Sequence, residues 1–290
     1  IFFYTMTNND VLNILPTVGL YVLASYKIMP SFLRVLNVLQ TIKGLMPSID
    51  MLKNEIANTE DFRINSKTIN TKKLLFNEKI ELKNLDFSYD HKHKIINNFS
   101  KTIYKNKIIG IFGKSGSGKS TLIDILTGLL SPNNGCVIID GKTNINNGYL
   151  VDWQSKIGYV SQNVFLLDAT IRENIAFGKE DSDIDNLKIE QALRNSKLDD
   201  YILKLEKGVD TIVGERGVKL SGGQIQRIGI ARELYRDPQL LIFDESTNAL
   251  DLNTEDRILE CLNGLKHKLT MIIVSHRENT LKYCDEVFKL

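Results

Sequence analysis

The octapeptide Gly113-Lys114-Ser115-Gly116-Ser117-Gly118-Lys119-Ser120 lies between an apolar run, Ile108 to Phe112, and a helix-like run, Thr121 to Leu130. A chain that passes from strand to helix through this string is built to wrap its backbone around phosphate oxygens. The spacing G-x-x-x-x-G-K-[ST] is met by Gly113, Gly118, Lys119 and Ser120. Glycines let backbone N–H groups turn inward, and the following helix aims its positive N-terminus at the same point. In this arrangement Lys119 reaches the β- and γ-phosphates, and the Ser120 hydroxyl ligates Mg²⁺. The alternative is a flexible glycine loop with an incidental lysine; the flanking strand and helix argue against it. The expected ligand is a nucleoside triphosphate.

The 290 residues have room for one large domain or two smaller ones. A net charge of +2 argues neither for nor against nucleic acid, and no nucleic-acid partner enters the reading. Cys136, Cys261 and Cys284 are far apart and form no C-x-x-C, so they read as reduced thiols. His91 and His93 flank a lysine in a polar turn, which reads as a solvated loop rather than a metal site.

From Ile1 to Tyr26 the single charged residue is Asp10, and Val11 to Tyr26 is uncharged throughout. This run is close to the roughly 20 residues that a membrane helix needs. Pro16 and Gly19 are tolerated more readily in membrane helices than in soluble ones. A buried soluble helix is the other reading of the same window. Lys27, Arg34 and Lys43 follow the run and none precedes it, which places the C-terminal side in the cytoplasm. Leu33, Leu36, Leu39, Ile42, Leu45 and Met46 then recur at three- and four-residue steps, as in an amphipathic stem. Pro47 is expected to interrupt that stem, and the polar, lysine-rich stretch 58–79 to be a linker. The chain opens mid-pattern at Ile1 and stops at Leu290 just as a strand begins, so it reads as a fragment cut at both ends.

Beyond residue 79 short strands alternate with helices. Strands are expected at Ile80–Leu82, Leu85–Tyr89, Lys107–Phe112, Cys136–Asp140, Ile157–Ser161, Leu240–Phe243 and Met271–Val274. Helical period covers Ile171 to Leu205 and Gln224 to Tyr235. This alternation implies an α/β class with a mostly parallel sheet and ligands at the strand carboxyl ends. Leu240-Leu241-Ile242-Phe243 runs into Asp244 and Glu245, the usual carboxylate partner of a phosphate loop. A strand exiting into an acidic loop would look similar. Ser221-Gly222-Gly223-Gln224 opens a helix and forms a second backbone nest at a helix N-terminus.

In these strings and their order the chain resembles the ATP-binding cassette (ABC) ATPases, from about Lys79 to Leu290. Tyr89 matches the aromatic A-loop that stacks on adenine, Gln162 the Q-loop, Ser221 to Gln224 the signature and Ala249-Leu250-Asp251 the D-loop. Gly214-Glu215-Arg216-Gly217 resembles the x-loop of exporters. His276, in Val274-Ser275-His276-Arg277, matches the switch histidine. Asn248 stands where a serine commonly precedes the D-loop.

The resemblance implies a phosphate-loop NTPase with a mostly parallel sheet, an antiparallel β subdomain and a helical subdomain, preceded by an α-helical membrane-domain remnant. It divides the chain into 1–57, the last membrane helix and its cytosolic extension; 58–79, a linker; and 80–290, the nucleotide-binding domain. It implies ATP and Mg²⁺ as cofactors and Glu245, His276, Lys119 and Gln162 as catalytic residues. Nucleotide contacts fall to Tyr89, Gly113, Lys114, Ser115, Gly116, Ser117, Gly118, Lys119, Ser120, Thr121, Ser221, Gly222, Gly223, Gln224 and Asp251. Metal contacts fall to Ser120, Gln162 and Asp244.

Two cassettes of this family pair head to tail, so the expected partner is a second half-transporter, identical to the first. The expected activity is ATP-driven export across the bacterial inner membrane, with the ATPase domain in the cytoplasm. Ala24 to Ser31 looks similar to the helix end of exporters that flip lipid-linked oligosaccharides. Export of a lipid, peptide or drug is the alternative, and a soluble ABC ATPase without transport the next. The signature and the switch histidine argue against a kinase or GTPase.

Overall fold

A continuous α-helix, α1 (Asn8–Lys67), forms one unit of the computed structural model, and residues from Asn70 onward form the second. The structure describes residues 8–67, 72–90, 93–114, 116–244, 260–276 and 278–290.

At about 1.5 Å per residue α1 is about 90 Å long, three times the thickness of a bilayer's hydrocarbon core. Within it Pro16–Ala57 is long and apolar enough, by length and composition, to cross a membrane. Its large apolar side chains, among them Val18, Leu20, Leu23, Ile28, Phe32, Leu36 and Leu39, are exposed. Pro47 does not interrupt the helix, contrary to expectation; α1 runs through Pro16, Pro30 and Pro47 alike. Each proline removes one donor from the ladder, and the spacing between them leaves several intact turns on either side. The stretch read as linker also divides differently. Residues 58–67 continue α1, while Leu74 and Phe76 are buried in the core of the second unit.

In that unit four strands make an antiparallel sheet: β1 (Lys79–Phe87), β2 (Ile96–Tyr104), β4 (Asn134–Ile139) and β5 (Thr143–Asn144), in the order β2-β1-β4-β5. The break expected between Leu82 and Leu85 is a register shift inside one strand, with Asn84 at φ 47 and its amide donating to Asn98 Oδ1. Strand β2 is absent from the sequence reading. Its sequence, INNFSKTIY, carries too many polar residues to read as a strand, because it is an edge with one wet face.

The second sheet is parallel: β3 (Ile108–Phe112), β6 (Ile157–Val160), β7 (Leu240–Asp244), β8 (Thr270–Ser275) and β9 (Glu286–Lys289), in the order β6-β7-β8-β3-β9. Its central strands are nearly uniform aliphatic runs, as a sheet buried on both faces requires. Leu240, Ile242, Ile272 and Val274 pack on the face of helix α2 (Lys119–Thr127) and the antiparallel sheet. Leu241, Phe243, Met271 and Ile273 pack on the other face.

A third core belongs to the helices. The expected single helical stretch from Ile171 to Leu205 is instead α4 (Ile171–Ile175), α5 (Asn186–Asn195) and α6 (Asp199–Ile202), which follow α3 (Leu150–Ser155). The breaks have local causes. Thr170 and Glu173 form a capping box, Gly178 turns at φ 80, and Asp185 caps α5 by accepting from Leu187 and Lys188 N–H. Helices α4 and α5 pack on α7 (Gly222–Tyr235).

Candidate functional site

Parallel register brings the chemistry to one edge. Phe112 pairs with Ser275, Asp244 with Val274, and Phe243 with Val160. The phosphate loop after β3, Asp244 at the end of β7, His276 after β8 and Gln162 after β6 therefore leave the sheet at one level, at its carboxyl edge.

The loop turns back into α2 through Gly118, which sits at φ 95 as the helix cap. No other residue fits there without strain, and an added Cβ would also stand 2.9 Å from Ile95 Cγ2. At Gly113 an added Cβ would lie 2.5 Å from Ser117 Oγ, so the close curl of the loop depends on that glycine too. Lys119 is buried, and its ammonium donates to the carbonyls of Gly113 and Lys114, each at 3.0 Å. The lysine thus clasps the loop it belongs to and holds a full charge at its centre. Among the described residues the buried Ser117 Oγ has no hydrogen-bond partner, and a phosphate oxygen would satisfy it.

Ile95, Gly116, Gly118, Lys119, Ser120, Thr121, Gln162 and Asp244 line one cavity of about 350 Å³. Of these, Ile95 escapes the sequence reading; an isolated isoleucine before a polar strand carries no signal of its own. Tyr89 joins the group through its hydroxyl, 3.4 Å from Thr121 Oγ1, with its ring edge-on to Phe87 at 4.9 Å. It remains mostly exposed. His276 is exposed at its strand end and Lys114 on the loop rim. Ser115, Glu245 and Asp251 lie outside the described residues.

The signature residues are elsewhere. Ser221 and Gly222 are exposed and do not line this cavity. Ser221 caps α7 in a reciprocal box, its hydroxyl accepting from Gln224 N–H and its own N–H donating to Gln224 Oε1 at 2.8 Å. One chain therefore offers a phosphate cradle and, apart from it, a second helix N-terminus facing solvent.

Sequence reasoning also gives no role to Tyr159. Its hydroxyl donates to Asp244 Oδ2 at 2.6 Å. Burial, and then that hydrogen bond, push its phenol well above the ordinary range, so it stays a donor. Nearby, burial and then the charge of Asp244 raise the Asp124 carboxyl, and burial raises that of Glu233.

Comparison with known proteins identifies the family. The family model described as ABC transporter matches residues 96–248. "ABC transporter B family member 1" of Arabidopsis thaliana is 41% identical over 210 residues, which is 72% of this chain and 16% of that protein. The "ATP-dependent lipid A-core flippase" of Photorhabdus laumondii is 40% identical over 212 residues, 73% of this chain and 36% of that protein. Among solved structures, "Structure of a bacterial Atm1-family ABC exporter with ATP bound" superposes with a TM-score of 0.68 at 32% identity, covering 83% of this chain and 43% of that one. The chain thus spans less than half of the length of each of these relatives. The family match extends over more than half of the chain and takes in the phosphate loop and the Asp244 strand. The chain belongs to the ABC transporter family, and it carries that family's ATPase domain.

Proposed function

We propose that this chain is the C-terminal part of an ABC exporter half-transporter, in which ATP hydrolysis at two composite sites drives a substrate across a membrane. The observation that carries the proposal is the covalent fusion of two features. A helix whose apolar side chains are exposed over Pro16–Ala57 precedes a cassette with an exposed signature loop. Residues 1–57 then form the end of the membrane domain, 58–79 the connection and 80–290 the cassette. The basic residues after the apolar run support a cytoplasmic cassette at the inner membrane of a bacterium.

In this reading a second copy lays Ser221, Gly222, Gly223 and Gln224 over the nucleotide held by residues 113–121 of the first. Lys119 and the two N–H nests meet the charge that develops on the transferred phosphoryl group. Glu245 orients the attacking water, His276 stabilises γ-phosphate charge, and Asp251 lies at the junction of the two cassettes. Ser120, Gln162 and Asp244 present oxygen donors to the cavity, the set that suits Mg²⁺. When bound, that ion neutralises charge on the β- and γ-phosphate oxygens.

The proposed substrate is a lipid-linked oligosaccharide or related polysaccharide precursor. It rests on the segment Ala24–Ser31 and is in keeping with a flippase among the relatives. Export of another lipid, a peptide or a drug is the second reading. The test is the parent half-transporter in proteoliposomes with a fluorescent lipid-linked oligosaccharide. ATPase stimulation and ATP-dependent flipping are expected; Glu245→Gln keeps ATP binding and lowers turnover by about 10²–10⁴-fold. Near-normal hydrolysis by that variant contradicts the role of Glu245, and flipping without ATP contradicts the coupling.

A further inference from the structure

We infer that Tyr159 is a positioning residue for the metal end of the site, its phenol holding the Asp244 carboxylate in one orientation. The inference rests on the reading above, in which Asp244 serves Mg²⁺.

Strand pairing sets up the contact. In the parallel ladder Tyr159 is the partner of Ile242. Side chains alternate with period two, so Asp244 emerges on the same face as Ile242, one step toward the carboxyl edge. A tyrosine leaning along its strand spans that step, and the oxygens meet at 2.6 Å. This is the short distance of a hydroxyl donating to an ionised carboxylate.

The effect on the site follows from the soft torsion of a carboxylate. An aspartate's terminal torsion is broad and roughly two-fold, so an untethered Asp244 presents either oxygen at many angles. With Oδ2 held by the phenol, Oδ1 is left to face the cavity that Ser120 and Gln162 share with it. The ring has its own support. Its backbone lies in β6, paired with β7, and its N–H meets Glu233 Oε2 at 3.4 Å. The same ring lines a second cavity of about 450 Å³ with Asp124, Thr127, Leu129 and Glu233. Tyr159 thus lines that groove, and its hydroxyl reaches Asp244, which lines the nucleotide cavity. A ring without the hydroxyl would keep the packing and lose the bond to the carboxylate.

The test is a mutant cycle in the full chain, with Tyr159→Phe, Asp244→Ala and the double variant. Metal affinity is read as Mn²⁺ bound to the ATP-loaded protein by electron paramagnetic resonance, and ATP affinity is read separately in EDTA. Thermal melting of Tyr159→Phe beside the parent separates a folding defect from a loss at the site. Tyr159→Phe is expected to weaken Mn²⁺ binding about ten-fold, to leave metal-free ATP affinity unchanged, and to add nothing in the Asp244→Ala background. An unchanged Mn²⁺ affinity in Tyr159→Phe overturns the inference, as does an equal loss in both backgrounds. If Asp244→Ala itself leaves Mn²⁺ affinity intact, it is the underlying reading of Asp244 that fails.

Discussion

Asp140 shows how one side chain ties the antiparallel sheet together. It stands at φ 53 in the turn between β4 and β5, a backbone that aspartate tolerates, and Gly141 follows at φ 69. Its Oδ1 accepts from the N–H groups of Glu78 and Lys79, and its Oδ2 from Asn77. Partial burial alone would raise its carboxyl, but those three donors outweigh it and hold the group below the ordinary aspartate range. A carboxyl with a depressed folded-state value contributes stability above the unfolded value and loses it as the pH falls through the folded one. Asp140→Ala is expected to cost about 1–3 kcal/mol at pH 7. The gap from the parent should narrow as the pH falls below 3.8, measured by urea unfolding across that range. A gap independent of pH would show that the charge is not what matters. In the sequence Asp140 reads only as the end of a strand. Its donors come from residues 61 to 63 positions away, a pairing that no local pattern encodes.

At the scale of elements, legibility follows chemistry and burial. The phosphate loop, the central strands and α7 can be read because each is a dense local signal: glycines at fixed spacing, an aliphatic run, a Ser-to-Gln cap. The stretch from Ile171 to Leu205 cannot, because helical period continues across breaks made by single caps and one glycine. Ser221 belongs to both worlds. As the cap of α7 it accounts for about 1 kcal/mol of stability; as a signature residue it is proposed to touch the nucleotide of a second copy. Ser221→Ala is therefore expected to lower the melting temperature slightly and to lower ATP turnover by more than about ten-fold. Circular dichroism melts set beside steady-state hydrolysis would check this. A turnover loss no larger than the stability loss would reduce Ser221 to a helix cap.

On the scale of the whole molecule, the phosphate cradle and the signature loop lie apart on one chain. Fold class and most of the cradle are legible from residues 79–290. Tyr159 is not, because its role depends on which strands become neighbours. The carboxyl-edge convergence of Gln162, Asp244 and His276 comes from strand order, which alternation of elements only bounds. In the proposed mechanism, hydrolysis requires the cradle of one copy and the signature of another. The direct measurement is ATP turnover of Lys119→Ala and Ser221→Ala half-transporters, each alone and then co-assembled in equal amounts. Each variant alone should be nearly inactive. Random pairing makes half of the dimers mixed, and each mixed dimer holds one intact composite site, so the mixture should recover about a quarter of the parent rate. A mixture no more active than the two variants apart would contradict the claim.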